Sequence, residues 1–209
     1  MRIGIIGAGR IGGNAARLFA QAGHDLCVSY TRDEDKLAQL ASEIGGRAGA
    51  PRDAVEFGEV VLFSVPWLLV DDVLAQAGPL DGKIVIDTTN QFGSSGWEDL
   101  GGRTAAQVNA ARMPGARYTK SFNTMTAGFQ AEAAGRTGAD RVVMFLCGDD
   151  DAAKRVVAGL VDDAGFTPVD IGGTADAAPM EAPRRPGAVY GEEVHEDEAR
   201  AFVAKLRSA

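Results

Sequence analysis

Six residues near the start of the chain carry its clearest chemistry: Gly7-Ala8-Gly9-Arg10-Ile11-Gly12 sets three glycines at the spacing G-x-G-x-x-G. The spacing acquires meaning from its neighbours. It follows the apolar run Ile3-Gly4-Ile5-Ile6 and leads into Asn14-Ala15-Ala16-Arg17-Leu18-Phe19-Ala20, which reads as strand, turn, helix. In such a unit Gly7 permits the tight turn, Gly9 lets a pyrophosphate come close to the backbone, and Gly12 lets the helix pack against the strand. The helix N-terminus then faces the phosphates. The competing reading is a turn that is merely rich in glycine.

The type of dinucleotide is set at the end of the second strand, where an acid would bind a ribose 2′-hydroxyl. That strand, Asp25-Leu26-Cys27-Val28-Ser29-Tyr30, runs into Thr31-Arg32 with no acid at its tip. A carboxylate 4 Å from a 2′-phosphate would be repelled by about 4 kcal/mol per pair of unit charges in a partly screened site. Arg32 reverses the sign: its planar guanidinium takes two phosphate oxygens at once, and the hydroxyls of Ser29 and Thr31 can donate to others. This predicts NADP(H). The alternative makes Arg32 a solvated residue ahead of a helix, with Asp33 as N-cap and ribose ligand.

The elements that must position these residues alternate strand and helix, the pattern of an α/β, Rossmann-type, doubly wound and mostly parallel sheet with helices on both faces. After the first two strands the sequence predicts a helix over 33–44, a weak strand over 47–50 and a short helix opened by Pro51. A nearly all-apolar central strand covers 59–65, and a helix starts at Pro66-Trp67. A fifth strand covers 83–87, a glycine-rich loop 93–102, a helix 104–111 and a sixth strand 117–122. Beyond these come a strand over 141–147, a helix over 151–164 and a last edge strand over 167–170, whose proline suits an edge. Residues 1–175 are expected to form the NADP-binding domain. Residues 176–209 are expected to form a Pro/Arg-containing segment and a charged helix, acting as a surface connection or as a lid or dimer arm that offers Arg184 and Arg185 to an anionic ligand.

Ligands of such sheets bind outside the carboxyl ends of the strands. That rule selects Gly9 to Ile11 (with Arg10), Ser64 to Trp67, Thr88 to Asn90 and Asn123 to Thr126 as the walls of one crevice. Ser64, Val65, Pro66 and Trp67 can lie along ribose and nicotinamide, Trp67 offering a flat apolar face or serving as a packing residue.

Composition bounds the rest. The chain has 209 residues, 45% of them apolar, with 27 glycines and a net charge of −8, which argues against nucleic acid as a partner. Met1 is followed almost at once by the first strand, and no apolar run approaches the about 18 residues of a membrane span. A soluble, cytoplasmic protein without membrane contact is expected. Cys27 and Cys147 fall in strands, where buried free thiols are the ordinary case. No cluster of His, Cys, Asp and Glu has the spacing of metal ligands, so no metal is expected.

The opening glycine turn, Thr31-Arg32, Val65-Pro66-Trp67 and above all Lys120-Ser121-Phe122-Asn123-Thr124 together resemble the coenzyme F420-dependent NADP oxidoreductase family. That family in turn resembles the cytosolic reductase domain of the STEAP metalloreductases. The likeness runs through residues 1–175 and includes Cys147-Gly148-Asp149-Asp150. It implies NADP(H) as cofactor, Thr31 and Arg32 on the 2′-phosphate, and Asn123, Thr124 and Met125 beside the nicotinamide where a second redox ring, F420 or a flavin, stacks. After Gly173 the chain departs from the family's apolar helical tail, so the resemblance carries the cofactor and leaves the acceptor open.

Direct hydride transfer between two rings needs face-to-face placement and exclusion of water, and no acid or base. A small carbonyl or imine acceptor would need a proton donor, for which Tyr118, Lys120 and Thr124 are the nearby residues, although Lys120 at a strand end reads as surface or structural. The readings at this point are a reductase of F420, a flavin or another small-molecule acceptor, a reductase of a small carbonyl or imine, a dehydrogenase of the 6-phosphogluconate or 3-hydroxyacid type, for whose long helical substrate domain little sequence remains after the last strand, and a non-catalytic NADP-binding redox sensor. A homodimer whose 179–195 segment covers the crevice is expected.

Overall fold

A computed structural model describes residues 1–31 and 33–208; Arg32 therefore lies outside the described residues. The chain runs β1 (Arg2–Ile6), α1 (Arg10–Gln21), β2 (Asp25–Ser29), α2 (Glu34–Glu43), β3 (Arg47–Gly49), α3 (Pro51–Phe57) and β4 (Val60–Phe63). A single 3-10 turn at Trp67–Leu69 leads into α4 (Val70–Ala77), followed by β5 (Ile84–Asp87), the hairpin β6 (Phe92–Gly93) and β7 (Gly96–Trp97), and α5 (Ala105–Arg112). The remainder is β8 (Arg117–Lys120), α6 (Ala127–Ala133), β9 (Val143–Gly148), α7 (Asp151–Asp163), β10 (Thr167–Asp170) and α8 (Glu196–Leu206).

Eight strands form one sheet in the order β10-β9-β8-β5-β4-β1-β2-β3, parallel at every pairing except β8 with β9. The fold is thus a Rossmann-type α/β sheet. Period-2 alternation explains its two cores. Val60 and Leu62 of β4 join Ile3 and Ile5 in the layer under α1 and α7, while Val61 and Phe63 join Val85, Phe145 and Val73 of α4 on the other face. The order reverses at β1, which pairs with β2 on one side and β4 on the other. A crevice must open at the carboxyl ends there, because the connections from β1 and β4 leave toward opposite faces.

Several elements differ from expectation for identifiable reasons. The helix expected from Pro66 begins as the 3-10 turn, with α4 starting at Val70. The glycine-rich loop contains the small hairpin β6–β7. Helix α6 is an element the sequence reading did not include; Thr126 caps it, accepting from the Phe129 N–H. The carboxyl-terminal segment is interwoven with the sheet: Met180, Val189 and Ala199 are buried in the same core as Phe145 and Cys147. Cys27 and Cys147 are free and buried, and burial pushes the Cys147 thiol up to about 12. Among the described residues no helix is long and apolar enough to cross a membrane.

Candidate functional site

The four loops selected by the switch-point rule come together around one crevice of about 770 Å³. Gly9, Arg10 and Ile11 form one end, Ser64 to Trp67 and Thr88 to Asn90 the wall, and Asn123 to Thr126 the other end. The glycine turn is pinned to β2, since the N–H groups of Gly7 and Ala8 both donate to the Ser29 carbonyl, at 3.0 and 3.1 Å. Its three glycines have different surroundings. A Cβ on Gly7, whose φ is +99°, would sit 2.6 Å from the Ser64 carbonyl carbon, and one on Gly12 would sit 3.2 Å from Ser64 Cβ and closer still to the Gly7 carbonyl oxygen. A Cβ on Gly9 would meet nothing within 4 Å. Gly9 is the N-cap of α1, which has no side-chain cap and no acid in its first turn. The first amides of α1 are therefore left for an anion, and a pyrophosphate fits the open cradle.

At the opposite end Phe122 takes φ +58°, a left-handed conformation that a non-glycine residue adopts only when its surroundings hold it there. The restraint is Gln130 of α6, whose Nε2 donates to the carbonyls of Phe122 (3.1 Å) and Met125 (3.0 Å). The turn presents Asn123, Thr124 and Met125 to the crevice. Asn123 Nδ2 donates to Asn90 Oδ1 at 3.2 Å and to the Met180 carbonyl at 2.5 Å, and Asn90 Nδ2 returns a bond to the Asn123 carbonyl. Both amides are thereby fixed, and Asn123 Oδ1 is left buried with no partner. Leaving such an acceptor unmet costs about 1–3 kcal/mol, so a ligand N–H there is favoured.

Beneath this end lies a buried polar cluster. Lys120 is fully buried and donates to the Thr89 carbonyl, with Asp87 at 3.5 Å and Glu181 at 3.9 Å. Asp87 also accepts from Tyr118 Oη (2.6 Å), Asn109 Nδ2 (2.8 Å) and the Thr89 N–H (2.8 Å). Glu181 reaches from the carboxyl-terminal segment to the start of α5, accepting from the N–H groups of Ala105 and Ala106. Burial and the neighbouring Asp87 charge hold the Tyr118 phenol well above its ordinary range.

Three expectations change. Lys120 is an interior ion whose ammonium supports the Thr88–Asn90 loop from below. Neither it nor Tyr118 lines the crevice, because both are spent on Asp87, so neither is a proton donor there. Ser29, expected on the 2′-phosphate, is fully buried with its hydroxyl donating to the Ile5 carbonyl at 2.9 Å, which withdraws it from any ligand. Arg184 and Arg185 are engaged within their own segment, Arg184 with Glu192 and Arg185 with the Ala178 carbonyl.

Other residues lie as follows. Trp67 borders the crevice but is only 4% exposed, its Nε1 donating to Glu98 and its ring under the Arg112 guanidinium, 4.6 Å away. Packing accounts for most of its ring. Thr31 accepts from the Asp33 N–H through Oγ1. Asp33 caps α2 by accepting from the Lys36 N–H and pairs with Lys36 Nζ, which lowers its pKa. Arg32, the expected phosphate ligand, lies outside the described residues. Residues 190–193, within the 179–195 segment expected to cover the crevice as a dimer arm, border it within the one chain, with the Gly191 N–H bonding to the Thr124 carbonyl at 2.9 Å. The aromatic Tyr190 is the one local signal of that contact.

The comparisons agree with this geometry. The family model described as NADP oxidoreductase, coenzyme F420-dependent, matches residues 2–91. The hypothetical protein SMa0349 from Sinorhizobium meliloti is 30% identical with a TM-score of 0.82, over 94% of this chain and 96% of that one. A candidate F420-dependent NADP reductase from Arthrobacter sp. FB24 is 26% identical with a TM-score of 0.74, over 85% and 87% of the two chains. The metalloreductase STEAP3 of Rattus norvegicus is 29% identical over 181 residues, 87% of this chain, which spans 36% of the length of that curated relative. With its glycine turn, reversed sheet order and these relatives, the chain is similar to the coenzyme F420-dependent NADP oxidoreductase family, whose model it matches over residues 2–91.

Proposed function

We propose that the protein binds NADP(H) along this crevice and exchanges a hydride between its nicotinamide and a planar deazaflavin or flavin acceptor. The observation that carries the proposal is the contrast among the three glycines: Gly7 and Gly12 are closed by protein, whereas the space over Gly9 is open to the crevice. What sets the open space over Gly9 apart is its place, in the crevice at the N-terminus of α1, which has no side-chain cap and no acid in its first turn. The pyrophosphate would lie over Gly9 to Ile11, and the 2′-phosphate near Thr31 and Arg32. Commitment of Asp33 to Lys36 supports NADP(H) over NAD(H), since the nearest acid already has a cation and a helix amide.

When bound, the dinucleotide supplies a hydride at its nicotinamide. The chain's part is to hold that ring flat and dry. Asn123 Oδ1 would accept from the carboxamide N–H, the group that its orphaned lone pairs require. Met125, Phe129, Phe92 and Tyr190 give the far end an apolar, partly aromatic lining that suits a second flat ring. Placement of this kind carries most of the rate in hydride transfer between rings. Oxidation of NADPH, followed by absorbance with F420, FMN, FAD and a ferric chelate in turn, tests the reading. Turnover is expected with F420 or a flavin; tight NADPH binding with no turnover on any of the four would leave a non-catalytic NADP-binding protein.

A further inference from the structure

We infer that Tyr190 is a catalytic residue of this reaction, a proton donor to the acceptor atom on which negative charge develops as the hydride arrives. The inference rests on the hydride-transfer reading above and goes beyond it, because transfer between rings by itself calls for no acid.

Tyr190 lines the crevice and its ring belongs to neither apolar core. Its place is fixed by backbone bonds on both sides: its own N–H donates to the Pro179 carbonyl at 3.1 Å, and the next N–H, of Gly191, donates to Thr124 at 2.9 Å. That second bond ties it to the Asn123–Met125 turn, the end where the nicotinamide is proposed to lie. The other two phenols differ in setting. Tyr118 is spent on Asp87, and Tyr30, just past β2, packs against the core and does not line the crevice. Thr124 also faces the crevice, but an aliphatic hydroxyl is a far weaker acid than a phenol.

Burial pushes the Tyr190 phenol above its ordinary value, so it stays protonated at neutral pH, and among the described residues its O–H has no hydrogen-bond partner. Among the described residues the charged groups lining the crevice are Arg10 at the phosphate end and Glu192 and Glu193 beside Tyr190. Each acid is paired, Glu192 with Arg184 and Glu193 with Arg136, and His195 lies 3.4 Å from Glu193. Neither carboxylate is therefore an unpaired charge against the phenol.

The step balances as follows. The acceptor takes the hydride at carbon or at a ring nitrogen, and its π pair moves along the conjugated system to a nitrogen or oxygen. That atom forms a bond to the proton of Tyr190 as the phenolic O–H breaks. The acceptor is reduced by two electrons at the expense of the nicotinamide, and water at the crevice mouth returns a proton to the phenolate.

The test compares the wild type with Tyr190→Phe, which keeps the ring and its packing. With F420 or FMN as acceptor, kcat is expected to fall about 100-fold, with NADPH affinity unchanged. In the wild type kcat falls as pH rises through the phenol's pKa, and Tyr190→Phe loses this alkaline limb. A second readout needs no turnover. The near-ultraviolet tyrosinate titration of wild type minus Tyr190→Phe isolates this phenol, and oxidised FMN added with NADP+ should move its midpoint upward as the O–H acquires an acceptor. An unchanged kcat in Tyr190→Phe, or a midpoint that FMN does not move, overturns the role of Tyr190 and leaves hydride transfer standing. A wild type that turns over none of F420, FMN, FAD or a ferric chelate overturns both.

Discussion

Adding one methyl group to each of two glycines three residues apart, Gly9 and Gly12, separates binding from folding. In Gly12→Ala the new Cβ lies 3.2 Å from Ser64 Cβ and inside contact with the Gly7 carbonyl oxygen, which is backbone and cannot swing away. Overpacking of this kind costs about 1–3 kcal/mol, and the better helix propensity of alanine returns about 0.8–1.0 kcal/mol of it. The net loss is up to about 2 kcal/mol, which lowers Tm by up to about 8 °C in a chain of this size. Gly9→Ala meets no protein atom, and its backbone has φ −79°. Its weaker N-cap is offset by the reduced freedom of the unfolded chain, so Tm should stay within about 2 °C. The same methyl fills the space over which the pyrophosphate lies. Loss of one charge-assisted bond, about 1.5–3 kcal/mol, weakens NADPH about 10- to 150-fold. Thermal unfolding by circular dichroism without nucleotide, and NADPH titration by fluorescence at fixed ionic strength, read the two effects. A Gly9→Ala protein that binds NADPH like the wild type, or one as unstable as Gly12→Ala, would refute the assignment of the cradle.

Arg32→Ala should weaken NADPH about 10- to 150-fold by removing one charged phosphate contact and leave NADH nearly unchanged, measured by parallel calorimetric titrations; equal losses would return the choice to Asp33. Lys120→Met leaves Asp87 and Glu181 buried without their cation. That costs about 3–5 kcal/mol and, at about 2–4 °C per kcal/mol, lowers Tm by about 6–20 °C in thermal melts, whereas a surface lysine at that position would change almost nothing. Arg117→Met removes the guanidinium bound to Asp150 at 2.6 Å, the main reason that carboxyl is held well below its ordinary range, ahead of its bond from the Ala153 N–H. A carboxylate with a depressed native pKa stabilises the fold above its unfolded value and loses that contribution as pH falls toward the native one. The Tm gap between wild type and Arg117→Met should therefore be full at neutral pH and close below about pH 4, as melts across a pH series will show.

What the sequence displayed of this fold was local. The glycine turn is legible because each of its constraints lies within a few residues, and β4 because Val60 to Phe63 are uninterrupted apolar residues that only a strand buried on both faces accommodates. The antiparallel β9 was not legible, since residue pattern records burial and not strand direction. Helix α6 was hidden by its brevity and by Gly128, and what stabilises it is the cap at Thr126 and the interior bonds of Gln130. Ser29 was expected on a ligand and Lys120 in a surface or structural role, and both lie in the interior for one reason. Both are polar residues in strands that look solvent-compatible by type, and both are buried because a carbonyl or a carboxylate from another strand satisfies them.

The Pro/Arg-rich segment shows most clearly how composition can mislead about a site. Its arginines and prolines suit a surface connection, yet Met180, Glu181 and Ala182 are buried, and Met180 and Ala182 supply polar atoms to Asn123 and Asn90, which border the crevice. The Met180 carbonyl holds Asn123, the Ala182 N–H bonds Asn90 Oδ1, and the Ala182 carbonyl accepts from Gln91. Glu181 meets both Lys120 and the amides of α5. The segment fixes which way the Asn123 amide faces and so why its Oδ1 is the atom left without a partner. Ten residues later the same stretch returns to deliver Tyr190 against Thr124. One length of chain thus orients the residue proposed to hold the nicotinamide and supplies the residue proposed to protonate the acceptor, so a change in its path moves both together.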